Sequence, residues 1–311
     1  MVKIKCIKTE PSTIFRIKPT SPYNFDLTVG IFSKFLGEVV DIFYINSAYR
    51  RLLNIAGNYV FVSVKSVGNV DNPELYVEVY PEDIQPDENL IKQKLEHILS
   101  TNIALEGFYS MMCEDKVLSE ITNRLYALRP PRTESFYEAL VIAIIEQQIA
   151  LPIAVMNKGY LVRKYGKKIL FDGKEYYAFP APYALANTKV EDLRKLRLSR
   201  RKAEYIIELS TKIINGELDL AKINSLQNQE IIDILTKIRG IGKWTAEYAI
   251  VRGLGRLDSL PANDVALRKV VSTLYYGGKE VSEDDVRKLL DKWGKYKGFA
   301  AFYLLNMGRL K

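Results

Sequence analysis

The spacing of apolar positions changes partway along the chain. From Glu38 to Tyr80, the β-branched and aromatic runs EVVDIFYI, NYVFVSV and ELYVEVY are separated by turn residues such as Gly57-Asn58 and Val70-Asp71-Asn72-Pro73, a pattern that predicts strands. The alternation of Val60, Val62 and Val64, and again of Tyr76, Glu78 and Tyr80, predicts an antiparallel sheet with one face buried and one open. After Pro81-Glu82-Asp83-Ile84-Gln85-Pro86 the period becomes helical, as in Leu90, Ile91, Leu95, Ile98 and Leu99, and later in Ile206, Ile207, Leu209, Ile213 and Ile214. The chain therefore reads as α+β, with a small N-terminal antiparallel β-containing domain over residues 1–86 and a mostly α-helical region over residues 87–311.

Two features punctuate the helical part. Arg129-Pro130-Pro131-Arg132 precedes Ser135-Phe136-Tyr137-Glu138, whose spacing is that of a capping box ahead of the apolar run ALVIAII, so a buried helix is expected to start there. Between about residues 166 and 183, turn residues and prolines predict a hairpin or irregular insertion before helices resume near Asn187.

Composition narrows the possible chemistry. Of 311 residues, 48% are hydrophobic and 26% charged, and no apolar run approaches the ~18 residues of a membrane span. The chain is expected to be globular, with no membrane partner. The opening MVKIKCIKTEPSTIF lacks the apolar stretch and cleavage site of a secretory signal, so an intracellular, cytoplasmic location is expected. Two cysteines, Cys6 and Cys113, and a single histidine, His97, supply no set of soft ligands for zinc or an iron–sulfur cluster. No metal and no cofactor are expected, and acid–base work falls to carboxylates, lysine or tyrosine. His97, in LEHILS, reads as part of an ordinary amphipathic helix.

The net charge of +8 favours an anionic partner, and its distribution is uneven. Residues 1–90 hold 9 Lys+Arg against 11 Asp+Glu, residues 91–236 hold 21 against 18, and residues 237–311 hold 15 against 8. The basic surplus sits at the C-terminal end.

Residues 231–271 are the informative stretch. An apolar-periodic helix (Ile231, Ile234, Leu235, Ile238) runs into Gly240-Ile241-Gly242, and a second helix is expected from about Trp244. Glycines allow a tight turn and a close approach, and a helix start presents unpaired N–H groups suited to a phosphate. Taken alone, the same pattern also fits a simple glycine-mediated turn between helices. About twenty residues on, Leu260-Pro261-Ala262-Asn263-Asp264 precedes another amphipathic helix, where Asp264, taken without context, reads first as an N-cap.

Together these segments resemble the helix-hairpin-helix DNA base-excision glycosylases, with the hairpin at about 231–253 and the loop bearing the catalytic Asp at about 260–264. GIGKWTAEYAIVRG is similar to the alkyl-purine (3-methyladenine type II) branch. The resemblance extends from FYEALVIAIIEQQIA at 136–150 to WGKYKGFAAFYLL at 293–305. It implies Asp264 as the catalytic carboxylate, stabilising the cation-like sugar of the transition state or orienting water. It implies Gln148 as the wedge that fills the gap left by an extruded nucleotide. Trp244 and Tyr248, one helical turn apart, would line the base pocket, where a cation–π contact with a positively charged alkylpurine is worth about 0.5–2 kcal/mol. Phe136 and Tyr137 are further pocket candidates. Gly240, Gly242, Lys243 and Arg239, with Lys237 and Arg252 nearby, would meet the DNA backbone.

Some positions depart from the family pattern. Arg239 stands where the family often has proline, and Asn263 where this branch often has a second Asp. Leu305 falls near a position that can carry a pocket tryptophan, which implies a reshaped pocket. The function implied is a monomeric glycosylase that hydrolyses damaged, alkylated purines from double-stranded DNA, associated with the nucleoid. Two other readings stay open. An oxidised-base (8-oxoguanine-type) glycosylase/lyase would need a lysine nucleophile, yet the family triplet puts Trp244 and not Lys243 in that place. A helix-hairpin-helix protein could also bind DNA without performing chemistry.

Overall fold

The computed structural model describes residues 10–30, 39–81 and 87–307. The domain boundary expected at residue 86 and the start of the strand-like region at Glu38 lie outside them. Strands β1 (Thr13–Ile17), β2 (Ile42–Ile45), β3 (Ala48–Ile55), β4 (Asn58–Ser66) and β5 (Leu75–Pro81) form one antiparallel sheet in the order β1-β5-β4-β3-β2. After the short helix α1 (Phe25–Gly30), helices α2 (Glu88–Leu99), α3 (Glu106–Met112), α4 (Lys116–Arg124), α5 (Phe136–Glu146) and α6 (Leu151–Tyr165) lead to a hairpin, β6 (Lys168–Phe171) and β7 (Lys174–Tyr177). Next come α7 (Pro182–Ala186), α8 (Val190–Arg194), α9 (Arg200–Ile214), α10 (Leu220–Ile223) and α11 (Asn228–Leu235). Helix α12 (Lys243–Ala249) runs on as a π-helical turn, Ile250–Leu254, and α13 (Val265–Tyr275), α14 (Glu283–Asp291) and α15 (Lys297–Met307) complete the chain. No helix among the described residues is long and apolar enough to cross a membrane.

The sheet does not have the open face that its alternation predicts. Val60, Val62, Val64, Val77 and Val79 pack against Ile91, Leu95 and Ile98 of α2. The opposite face is covered as well, because Leu52, Phe61 and Tyr80 meet Phe171 and Tyr176 of the β6–β7 hairpin, with the Phe61 ring centroid 4.5 Å from each of those two rings. The insertion expected near 166–183 is this cover. Its turn residues Asp172 and Gly173 both have positive φ, 48° and 70°, as a two-residue I′ hairpin requires. Helices resume at Pro182, a few residues before the expected point.

Behind the sheet lie two helical cores. Helices α5, α6, α9, α11 and α12 surround one, and α3, α4, α13, α14 and α15 the other. Ser135 caps α5 by accepting from the Glu138 amide at 3.1 Å, but the reciprocal half of the expected box is diverted. The Glu138 carboxylate instead accepts from the Glu134 amide (2.8 Å) and from Arg51 of β3 (2.8 Å). Glu134 in turn accepts from the Asn54 amide and lies 3.4 Å from Arg51. Arg51 is fully buried, so this ion cluster bolts the sheet to the start of α5.

His97 packs beneath Arg132, with 3.5 Å between the guanidinium and Nδ1. Burial, reinforced by the charges of Arg132 and Lys94, pushes its imidazole down to about 4. The unfolded chain takes up this proton near pH 6.5 and the folded chain does not. This contribution to stability is therefore complete above about pH 6.5 and is lost as the pH falls to about 4. His97→Gln is expected to flatten the acid limb of a urea-denaturation pH profile. An unchanged slope between pH 6.5 and 4 would refute this assignment.

Candidate active site

Leu235 of α11 and Ile241 of the turn anchor the helical hairpin in the core. Gly240 adopts φ +89°, and a Cβ there would come within 2.1 Å of the Tyr205 ring. Its glycine is thus demanded by the turn and by an aromatic neighbour on α9. Gly242 is the N-cap of α12, is exposed, and has nothing within 4 Å of the position its Cβ would take, which leaves the turn open to an incoming group. The second helix begins at Lys243, one residue earlier than expected. Arg239 is turned back onto α9, where it bridges Glu204 (3.3 Å) and Glu208 (3.2 Å) and stacks over Tyr205. Lys243 is exposed and lies 3.4 Å from Glu283.

Asp264 is the N-cap of α13, and its carboxylate is committed on both oxygens. Oδ1 accepts from the Leu267 amide at 2.9 Å, and Oδ2 accepts from Trp244 Nε1 at 3.2 Å. Trp244 and Tyr248 are half-buried with ring centroids 5.4 Å apart, and together with Asp264 they line a cleft of about 1050 Å³. Asp264 therefore caps α13 and lines the cleft at once. Phe302, Leu305 and Asn306 of α15 line it too. An aromatic pair, a mixed wall from α15 and a fixed carboxylate suit a flat, mostly apolar ligand about to develop positive charge.

Gln148 lies in the cleft lining between α5 and α6, exposed and in the left-handed region at φ 54°. The loop is held from behind. Gln147 Nε2 donates to the Gly240 carbonyl and to Thr245 Oγ1, both at 2.9 Å, tying the loop to the hairpin. Lys202 Nζ donates to the carbonyls of Ile145 (2.7 Å) and Gln147 (2.6 Å), opposing the negative C-terminal end of α5. Desolvation lowers the Lys202 pKa.

Phe136 and Tyr137 are not pocket residues. Phe136 is 6% exposed and packs on Gly253, where a Cβ would come within 2.9 Å of the Phe136 backbone. Tyr137 is 3% exposed and bonds Ser210 Oγ at 2.7 Å. Both serve the contact of α5 with the helices around it.

The pattern of residues also gave no sign of how the loop carrying Asp264 is held. The Leu257 carbonyl accepts from the amides of Gly298 (2.7 Å) and Phe299 (3.3 Å). A Cβ on Gly298 would come within 2.1 Å of the Ser259 carbonyl oxygen, so this approach needs glycine. Arg287 donates to the Leu260 carbonyl at 3.3 Å, grips both oxygens of Glu247 (2.8 and 3.0 Å) and bonds Glu283. Glu247 lies on α12 with its carboxyl raised by burial, against the lowering effect of Arg287. A charged chain, Lys243–Glu283–Arg287–Glu247, thus joins the hairpin to the Asp264 loop.

Residues 141–295 match the model of the HhH-GPD superfamily base excision DNA repair protein family. A DNA-3-methyladenine glycosylase of Bacillus subtilis is 28% identical over 246 residues, 78% of this chain and 81% of that protein. A 3-methyladenine DNA-glycosylase from Archaeoglobus fulgidus superposes with a TM-score of 0.83 at 28% identity, over 95% of this chain and 98% of the other. MBOgg1 in complex with a low-affinity DNA ligand superposes at 0.79 with 25% identity, over 98% of each chain.

Proposed function

With residues 141–295 the chain belongs to the HhH-GPD superfamily of base excision DNA repair proteins, and from this premise we propose that it hydrolyses the N-glycosidic bond of alkylated purines in double-stranded DNA. The observation that carries the reading is the doubly held Asp264 carboxylate beside the Trp244–Tyr248 pair. As the C1′–N bond breaks, the bonding pair leaves with the base and positive charge spreads over the sugar. A preorganised carboxylate stabilises that charge without reorganising. A water oxygen then bonds C1′, its proton is released, and an abasic site remains. An alkylated purine that carries positive charge departs neutral, and the two π-faces favour it before departure.

The nucleotide must leave the stack to enter the cleft. Gln148, at the mouth on a loop pinned by Gln147 and Lys202, fills the vacated space in this scheme. The hairpin at Gly240–Lys243 grips phosphate of the damaged strand, with Lys243 adding charge, and Arg239 acts mainly through α9. We further propose that the protein acts as a monomer and works with the nucleoid. The lyase alternative is disfavoured because the side chain touching Asp264 is the indole of Trp244, whereas the Lys243 amine is paired with Glu283.

The test is base release from duplexes that each carry one lesion. Release of 3-methyladenine or 7-methylguanine is expected, with the abasic strand intact and no adduct trapped by borohydride. A trapped adduct that disappears in Lys243→Ala, or release of oxidised bases alone, would overturn the proposal.

A further inference from the structure

Helix α6 has two unlike sides. Leu151, Ala154, Val155 and Lys158 line the cleft, and at about 100° per residue they share one face. Ile153, Met156 and Tyr160 fall on the opposite face. Ile153 is 48% exposed there, and Arg197 lies across the other two, its guanidinium 5.6 Å from the Tyr160 ring centroid and 3.9 Å from Met156 Sδ. The Arg197 carbonyl accepts from Asn157 at 3.3 Å, fixing the loop to α6.

This loop is part of a dense basic run. Residues 189–202 hold seven Lys+Arg against two acids, a cluster concealed by the nearly balanced total for residues 91–236. Arg194, Lys195, Arg197, Arg200 and Arg201 are all exposed. Lys195 and Arg200 are matched by Asp192 and Glu204. Among the described residues Arg197 and Arg201 have no carboxylate partner. The cluster abuts the loop bearing Gln148, because Lys202 bonds the Gln147 carbonyl.

We propose that the outer face of α6, with Arg197 and Arg201, seats the sugar–phosphate backbone of the complementary strand opposite the extruded nucleotide. The inference rests on the glycosylase reading and adds a second contact surface to it. If the damaged nucleotide enters the cleft on one side of α6 and Gln148 fills the gap at its start, the strand left behind passes on the other side. A helix is about 10 Å across, on the scale of a DNA groove. The Arg197 guanidinium over the Tyr160 ring, with the exposed Arg201 next in sequence to the Lys202 that bonds the Gln147 carbonyl, supplies the charge that a phosphate backbone requires.

The experiment measures binding of an abasic-site analogue, placed either in a duplex or in the damaged strand alone, across a series of salt concentrations. The variant Arg197→Gln/Arg201→Gln changes two exposed side chains, and circular dichroism checks its fold. It is expected to bind the duplex about tenfold more weakly, with a salt slope shallower by about 1.8 for two lost phosphate contacts. Binding to the single strand is expected to stay within twofold. Neutral methylphosphonates in the complementary strand opposite the site should reproduce the loss in the unmodified protein and leave the variant little further to lose. Equal losses on duplex and single strand, no loss at all, or additive losses with the methylphosphonates would each overturn the proposal. Failure of the glycosylase reading would appear separately, as no base release by the unmodified protein from any lesion.

Discussion

Asp264→Asn is expected to slow single-turnover base excision by at least about a hundredfold, the scale of removing one preorganised electrostatic contact from a transition state. Stability should change little. Asn is as good an N-cap as Asp, and its amide oxygen can still accept from the Leu267 amide that Oδ1 now serves at 2.9 Å. The negative charge is lost, and the Trp244 indole, 3.2 Å from Oδ2, then faces an NH2 group. Trp244→Phe separates these effects, because it keeps an aromatic wall and the carboxylate while deleting the indole donor. It should give a smaller loss, expressed in the chemical step. Near-normal excision by Asp264→Asn, with abasic-DNA affinity retained, would reduce Asp264 to a helix cap.

The largest stability effect is expected at Arg51. Arg51→Met would leave Glu134 and Glu138 buried without their cation, and breaking a buried pair from one side costs about 3–5 kcal/mol. The melting temperature should fall by on the order of 10 °C. Burial already holds the Glu134 carboxyl above the usual range, against the opposing pull of Arg51. With Arg51 gone that carboxyl rises further. A carboxyl whose folded pKa lies above its unfolded value contributes stability that is fully present below the unfolded value and lost as pH rises through the folded one. The deficit of Arg51→Met should therefore be largest near pH 7 and shrink toward pH 5. Adding Glu138→Gln should recover part of it. A melting temperature within a degree of the unmodified protein would mean that the cluster contributes little to joining the sheet to α5.

These two residues also mark the limits of what sequence patterns reveal. Asp264 and the Gly240–Gly242 turn lie within one local stretch, where spacing, capping preference and turn chemistry all act over short range. Arg51 belongs to the same strand as Arg50, and a local pattern reads such residues as surface. Its burial depends on carboxylates 83 and 87 positions away in the chain. Strands β4 and β5 follow from alternating apolar positions, but the second buried face of the sheet depends on aromatic residues at 171 and 176. Phe136 and Tyr137 sit on a helix that is apolar nearly all round, so periodicity offers no means of separating a cleft-facing side from a core-facing one. Lys202 acts through backbone carbonyls, and Gln147 through one as well as the Thr245 hydroxyl; a carbonyl carries no residue signature at all.

The chain from Lys243 through Glu283 and Arg287 to Glu247, with the bond from Arg287 to the Leu260 carbonyl, gives the enzyme a fixed ruler. Asp264 is thereby indexed to the Gly240–Gly242 turn, so that in the proposed scheme the distance from phosphate grip to reacting carbon is set before any base is inspected. Phe302, Leu305 and Asn306 line the cleft from α15, whose first turn clasps the Leu257 carbonyl while its later turns form an exchangeable wall. Substitutions in that wall can re-tailor which lesion fits and leave the cutting position unmoved, whereas a side chain at Gly298 would shift the ruler itself.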